Sequence, residues 1–141
     1  MGKKDVHKLS TKAEITIILL GISSHENDYR ISWALNEHLG FRFTKTENHK
    51  VLNQRLKELQ EFSTSHYTKN ENSNTYRLIS NRCDNGFLIE ELKNIDFLLI
   101  IEEKEISTPI QELIAKIKAI PFISAVFSID LSSLKKKPHI L

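Results

Sequence analysis

The chain has 141 residues, of which 40% are hydrophobic and 27% charged, and its formal net charge is +2. These values are typical of one ordinary globular domain, and they favour neither a fibrous nor a wholly disordered class. So small a net charge gives no support to a polyanionic partner, and a single cysteine excludes an internal disulfide.

The apolar stretches and the N-terminus bear on the location of the protein. The most apolar stretches, 15–22 and 97–101, are far shorter than the roughly 20 residues that a membrane-spanning helix needs. Asp5 and Glu14 interrupt the lysine-rich N-terminus and no small-residue cleavage site follows, so we expect no export signal. We therefore expect a cytoplasmic protein without a membrane partner.

The first part of the chain predicts a strand, a helix and a second strand. Residues 15–22 form a near-continuous apolar run, as in a strand covered on both faces. Asn27 or Asp28 can cap a helix whose apolar positions recur every three or four residues, and Gly40 can end that helix in the left-handed conformation. The alternation in 41–44 predicts a short strand with one buried face.

The next segment, 51–62, supports two interpretations. Leu52, Leu56 and Leu59 have helical spacing, but the segment lacks a strong N-cap and runs into a polar stretch of strand character. Helix and strand therefore both stay open for these residues.

Two turns are predicted in the middle of the chain. Residues 63–67 and 75–79 are compatible with strands and flank an asparagine-rich stretch, which predicts a β-hairpin. The sequence Asp-Asn-Gly at 84–86 predicts a tight turn, because asparagine and glycine tolerate positive φ.

The last third predicts a strand, a helix and a strand. Residues 97–101 are apolar enough for a buried strand. Thr108 predicts the cap of a second helix, with Pro109 at its first helical position and Pro121 as its stop. Residues 123–129 alternate, which predicts one buried face. The residues expected on that face are Ile123, Ala125, Phe127 and Ile129.

These elements predict an α+β fold with a mainly antiparallel sheet of five or six strands and two main helices packed on one face. Two helices cannot cover both faces of such a sheet, so we expect the opposite face to be partly open. We expect one domain spanning 1–141, with mobile ends at 1–11 and 133–141.

The strongest candidate for a site lies between the first strand and the first helix. His25, Glu26 and Asp28 carry titratable groups beside the open amide groups of the helix start, and Arg30 follows them. A simpler interpretation is that Asn27 or Asp28 only caps the helix while His25 and Glu26 face water.

Aromatic and amide side chains extend this candidate along the helix. Tyr29 and Trp33 share a helix face offset from the apolar stripe, where they either complete the core or anchor an interface. The full candidate binding region is His25, Glu26, Asp28, Tyr29, Arg30, Trp33 and Asn36.

The sequence gives no motif for a metal, a cofactor or a catalytic nucleophile. The six histidines include no pair at the spacing that zinc enzymes use on a helix. The four glycines form neither a phosphate loop nor a dinucleotide fingerprint, and Ser23-Ser24 lacks the glycines of a nucleophile elbow. Cys83 has no partner histidine in any motif, so we expect an inert thiol and no cofactor.

Several segments carry a pattern that occurs together in one family. These segments are 28–36, 76–81, 89–97, 127–130 and 134–141. They resemble the bacterial IPExxxVDY family, whose signature is matched here by Ile89, Glu91 and Asp96. The proline, valine and tyrosine of that signature are replaced by Glu90, Ile95 and Phe97. The resemblance supplies no catalytic residues.

The sequence favours a non-catalytic binding or self-association module over an enzyme. A partly open sheet face invites pairing with another chain, so we expect a homodimer, and a small-molecule ligand is compatible with such a domain. One alternative is weak nucleic-acid binding through the lysines at 135–137 and at the N-terminus, which the small net charge disfavours. Another is an enzyme of unrecognised type that uses His25, Glu26, Asp28 and Arg30.

Overall fold

The computed structural model of this protein describes residues 16–68, 74–104 and 109–134. The elements of these ranges are β1 (Thr16–Ser24), α1 (Asp28–Leu39), β2 (Thr44–Lys45), β3 (His49–Asn53), β4 (Glu58–Phe62), β5 (Thr64–Thr68), β6 (Thr75–Ser80), β7 (Arg82–Cys83), β8 (Gly86–Phe87), β9 (Phe97–Glu103), α2 (Ile110–Lys118) and β10 (Ile123–Ile129). Glu90–Leu92 and Leu131–Ser133 form single 3-10 turns.

Some predictions fall outside the described residues. They concern the end at 1–11, the asparagine-rich turn within 69–73, the cap at Thr108 and the basic run at 135–137. Leu134 belongs to the stretch expected to be mobile, and in the structure its side chain is buried.

A six-stranded antiparallel sheet forms the centre of the molecule. Its strand order is β10-β1-β9-β6-β5-β2, and β3–β4 and β7–β8 are separate two-stranded hairpins. The nearly uninterrupted apolar sequences of β1 and β9 fit their position inside the sheet, where neither is an edge strand and the two pair from Thr16–Glu103 to Ile22–Phe97. The predicted α+β fold with a mainly antiparallel sheet is confirmed.

Both helices pack on one face of this sheet, as predicted. Ile31 and Leu35 of α1 share a buried cluster with Leu113 and Ile117 of α2. The Asn27 side chain caps α1 by accepting the Arg30 N–H, and Gly40 ends the helix at a φ of 74°. Each buried aliphatic side chain of this kind stabilises the fold by about 1.5 to 3 kcal/mol.

Helix α2 begins one residue later than predicted. Pro109 has an extended ψ of 140° and its carbonyl accepts the N–H of Leu113, so this proline is the N-cap and not the first helical residue. The residue that precedes a helix needs non-helical angles, and the fixed φ of proline is compatible with them.

The face opposite the helices is covered, contrary to the expectation of a partly open face. Leu98 and Ile100 of β9 point to this side and form a second buried cluster with Phe62, Ile89 and Leu134. The cover is provided by the β3–β4 hairpin, the segment 81–95 and the C-terminal 3-10 turn. The segment 51–62, for which helix and strand stayed open, belongs to the β3–β4 hairpin. In this hairpin the side chain of Phe62 packs into the second buried cluster.

The predicted strand at 41–44 is displaced toward the C-terminus. Asn36 holds the backbone of Phe43 with two hydrogen bonds, from the Phe43 N–H at 2.8 Å and to the Phe43 carbonyl at 3.2 Å. The N–H and carbonyl of Phe43 are the groups that would otherwise bond to a neighbouring strand. Because Asn36 already binds them, strand pairing begins only at Thr44. Phe41 packs instead against Tyr76, with ring centroids 4.9 Å apart.

The predicted buried face of β10 is correct for Ile123 and wrong for Phe127, whereas Ala125 and Ile129 are half-buried. The pairing with β1 is irregular, because Ser24 pairs with Ile123 while Ser23 pairs with Ala125. The extra residue inverts the faces of the strand. Val126 is therefore buried, and Phe127 is 45% exposed.

The tight turn at the β7–β8 hairpin gives a first testable prediction. Gly86 has a φ of 146°, and a Cβ atom there would lie 2.5 Å from Nε2 of the buried Gln60. We expect Gly86→Ala to lower the free energy of unfolding by about 2 kcal/mol, measured by urea titration. The matched control is Gly40→Ala, which has positive φ but no atom within 4 Å of the added carbon, and it should cost about half as much. Equal costs would contradict the contact with Gln60.

Candidate functional site

A polar groove of about 830 Å³ lies where β1 ends and α1 begins. His25, Glu26 and Asp28 line it, so the structure brings these three predicted residues together. Ser63 and Asp96, which are distant in the sequence, line it as well. This groove is the clearest concave feature formed by the predicted site residues.

Asp96 organises one wall of the groove. Its carboxylate accepts the Ser24 N–H at 2.8 Å and the Arg82 Nε–H at 2.7 Å. The Arg82 guanidinium also lies 5.3 Å from the centre of the Phe87 ring. Asp96 therefore fastens the end of β1 to β7. The carboxylate of Asp96 and the guanidinium of Arg82 carry opposite charges and form an ion pair.

Three of the serine hydroxyls that line the groove donate to acceptors inside the protein. Ser63 donates to the Asp28 carboxylate, Ser24 donates to the Phe122 carbonyl at 2.7 Å, and Ser23 donates to the Asn94 carbonyl at 2.6 Å. A serine nucleophile needs a neighbouring base that takes its proton. Ser23 and Ser24 lack such a base, because they donate to backbone carbonyls, whereas Ser63 donates to a carboxylate, that of Asp28.

The other predicted site residues lie elsewhere. Arg30 lies over the rings of Trp33 and Phe122, at 5.7 and 5.1 Å from their centres. Tyr29 and Trp33 are 71% and 52% exposed, so they are surface residues and do not complete the core. Asn36 is occupied by the backbone of Phe43, which gives it a structural role.

No metal site is found in the described ranges 16–68, 74–104 and 109–134, where no group of three or more histidine, cysteine, aspartate or glutamate side chains is placed to hold an ion. Cys83 is half-buried, and its thiol lies 3.1 Å from Oδ1 of Asn85.

The three residues matched to the family signature lie in three different surroundings. Ile89 is fully buried in the second core, Glu91 is exposed, and Asp96 lines the groove. Ile89 is held by Asn81, whose Oδ1 accepts the Ile89 N–H at 2.8 Å.

Asn81 is a central residue that sequence reasoning missed. It is fully buried, and its Nδ2 donates to the carbonyls of Leu92 and Ile95 at 2.9 and 3.0 Å. Asn81 thus shapes the loop that precedes β9 and delivers Asp96 to the groove. Its place among polar neighbours in the sequence carries no signal for this role.

A second missed feature is an apolar surface on the β3–β4 hairpin. Leu52 and Leu59 are paired across the two strands, and Leu56 lies in the loop between them. These residues are 56%, 53% and 44% exposed. We call this surface the leucine face. The spacing of the three leucines was compatible with a helix, one of the two interpretations left open for 51–62, and the hairpin directs them outward.

The hairpin that carries the leucine face is firmly attached to the rest of the domain. Phe62 is buried in the second core, and the buried Gln60 donates to the Asn85 carbonyl at 3.1 Å. Asn53 closes the loop by accepting the N–H groups of Leu56 and Lys57. The exposed leucines are therefore presented by a folded hairpin.

None of the helices described, at 12 and 9 residues, is long and apolar enough to cross a membrane. Comparisons of the chain with protein-family models, with curated proteins and with solved structures find no match.

Proposed function

We propose that this chain is a non-catalytic binding module that associates with a second copy of itself through the leucine face. The observation that carries the proposal is the exposure of three leucines on one short hairpin. An exposed apolar cluster costs free energy in water and commonly marks an interaction surface. Its burial against another protein surface recovers that free energy.

The groove supports the non-catalytic part of the proposal. Asp96 is engaged by Ser24 and Arg82, Asp28 is engaged by Ser63, and the hydroxyls of Ser23 and Ser24 donate to backbone carbonyls. Catalysis requires a nucleophile or a base directed at a place where substrate can bind. The arrangement of these residues instead fastens β1 to β7 and the start of α1 to the junction of β4 and β5.

The other exposed apolar side chains support the choice of surface. Tyr29 and Trp33 lie on α1, where Trp33 faces the Arg30 guanidinium, and Phe127 lies on β10. The leucine face, in contrast, places two leucines directly opposite each other with a third beside them. It is therefore the apolar surface best suited to exclude water at an interface.

We further propose, from the sequence segments described above, that the chain is related to the IPExxxVDY family. The buried position of Ile89 and the anchoring role of Asp96 support a structural role for those two signature residues.

Sedimentation velocity tests the proposed self-association. The natural chain is measured from about 10 µM to about 1 mM, because small interfaces associate weakly. We expect the sedimentation coefficient to rise with concentration, and Leu59→Lys to remove this rise because a charge would be buried among leucines.

The control for this experiment is Tyr29→Lys. It also exchanges an exposed apolar side chain for a lysine, but on α1, and it should associate like the natural chain. A natural chain that stays monomeric over the whole concentration range would overturn the proposal. Equal association of Leu59→Lys and the natural chain would overturn the choice of surface.

A further inference from the structure

The outer side of the hairpin has a charge on each strand next to its leucine. β3 and β4 pair in a register that sets Lys50 opposite Glu61 and Leu52 opposite Leu59. All four of these side chains are exposed, whereas Gln60 and Phe62, which alternate with them on β4, are buried. The outer side therefore carries one cation and one anion at the same level along the strands, beside a pair of leucines.

This arrangement is self-complementary for one particular symmetry. A two-fold axis that lies between the two copies, parallel to the strands and midway between β3 and β4, places β3 of one copy over β4 of the other. Residues at the same level along the hairpin are then superposed. Lys50 of each copy meets Glu61 of the other copy, and Leu52 meets Leu59.

We infer that two copies of this chain associate face to face about such an axis, with Lys50 and Glu61 forming two reciprocal ion pairs beside the buried leucines. The inference rests on the proposed function and names its partner and its specificity residues. Because the face carries one charge of each sign, it matches its own copy better than it matches a uniformly acidic or basic surface.

The two charges have different local support. Glu61 accepts a hydrogen bond from Nδ2 of Asn48 at 3.4 Å, which restricts the carboxylate. Lys50 is exposed on the neighbouring strand, where its long side chain can reach across an interface. The ion pairs lie at the rim, so they select the partner and its orientation while the leucines supply most of the affinity.

Charge reversal tests this arrangement. In Lys50→Glu both ion pairs of the symmetric dimer become pairs of carboxylates, and in Glu61→Lys both become pairs of ammonium groups. We expect each variant alone to self-associate at least about tenfold more weakly than the natural chain in sedimentation equilibrium.

An equimolar mixture of the two variants is the decisive measurement. A heterodimer again has opposite charges at both positions, so its dissociation constant should return to within about threefold of the natural value. Each reversal also sets like charges opposite each other within one hairpin, but mixing does not change that pair. Restoration on mixing therefore reports the contact between copies.

The matched control is an ion pair on α2. Glu112 and Lys116 lie 3.4 Å apart on this helix, and reversal of either charge should leave self-association unchanged. If Leu59→Lys abolishes association but the mixture shows no restoration, the two-fold arrangement is wrong while the proposed function stands. If the natural chain does not associate at all, both are wrong.

Discussion

Asn81→Ala is expected to lower the free energy of unfolding by about 3 to 5 kcal/mol, which is a large part of the stability of a domain of this size. The substitution removes the donor to Leu92 and Ile95 and the acceptor for Ile89, all within the protein interior. Buried polar groups that lose their partners cannot bond to water, so each contributes a desolvation cost. Urea titration followed by circular dichroism measures the change.

The control for Asn81 is Asn94→Ala, at an exposed position in the same loop. We expect this change to stay within about 0.5 kcal/mol, because the loop contact of Asn94 with Ser23 uses its backbone carbonyl. If Asn81→Ala cost no more than Asn94→Ala, the loop before β9 would not depend on the buried amide.

Phe62→Ala is expected to cost about 3 to 5 kcal/mol, because it opens a cavity in the second core. The side chain is fully buried with Ile79, Leu98 and Ile100 between the sheet and the hairpin. Its loss should also loosen the hairpin that carries the leucine face. Chemical denaturation measures the first effect, and hydrogen exchange of the β3 and β4 amides measures the second.

A second substitution on the same strand separates stability from association. Leu59→Ala removes an exposed leucine, so it should change stability by less than about 0.5 kcal/mol while weakening self-association. The opposite ranking, with Leu59→Ala more destabilising than Phe62→Ala, would contradict the assignment of inner and outer sides of the hairpin.

The candidate site was only partly predictable. His25, Glu26 and Asp28 were identified because a helix start follows a strand end there, and the structure places all three at one groove. Their neighbours Asp96 and Ser63 are far along the chain, and only the folding of the sheet brings them close. The Asp96 contact with the Ser24 N–H joins residues 72 positions apart.

The sequence by itself determined the elements whose signals are local. The cap at Asn27, the end at Gly40, the apolar runs of β1 and β9 and the amphipathic pattern of α2 depend on residues within a few positions of each other. Such signals act through hydrogen bonds and side-chain periodicity inside one element. They were sufficient to predict the α+β fold with both helices on one face.

Only the tertiary structure decided what covers the opposite face and which leucines stay in water. Leu52 and Leu59 are as apolar as any core residue. Whether they are buried or exposed depends on which side of the hairpin packs against the sheet, and the side that packs there is the one that carries Phe62. Hydrophobic burial is not directional, so a short apolar pattern fits a helix or a strand equally well. Contacts between distant segments select one of them.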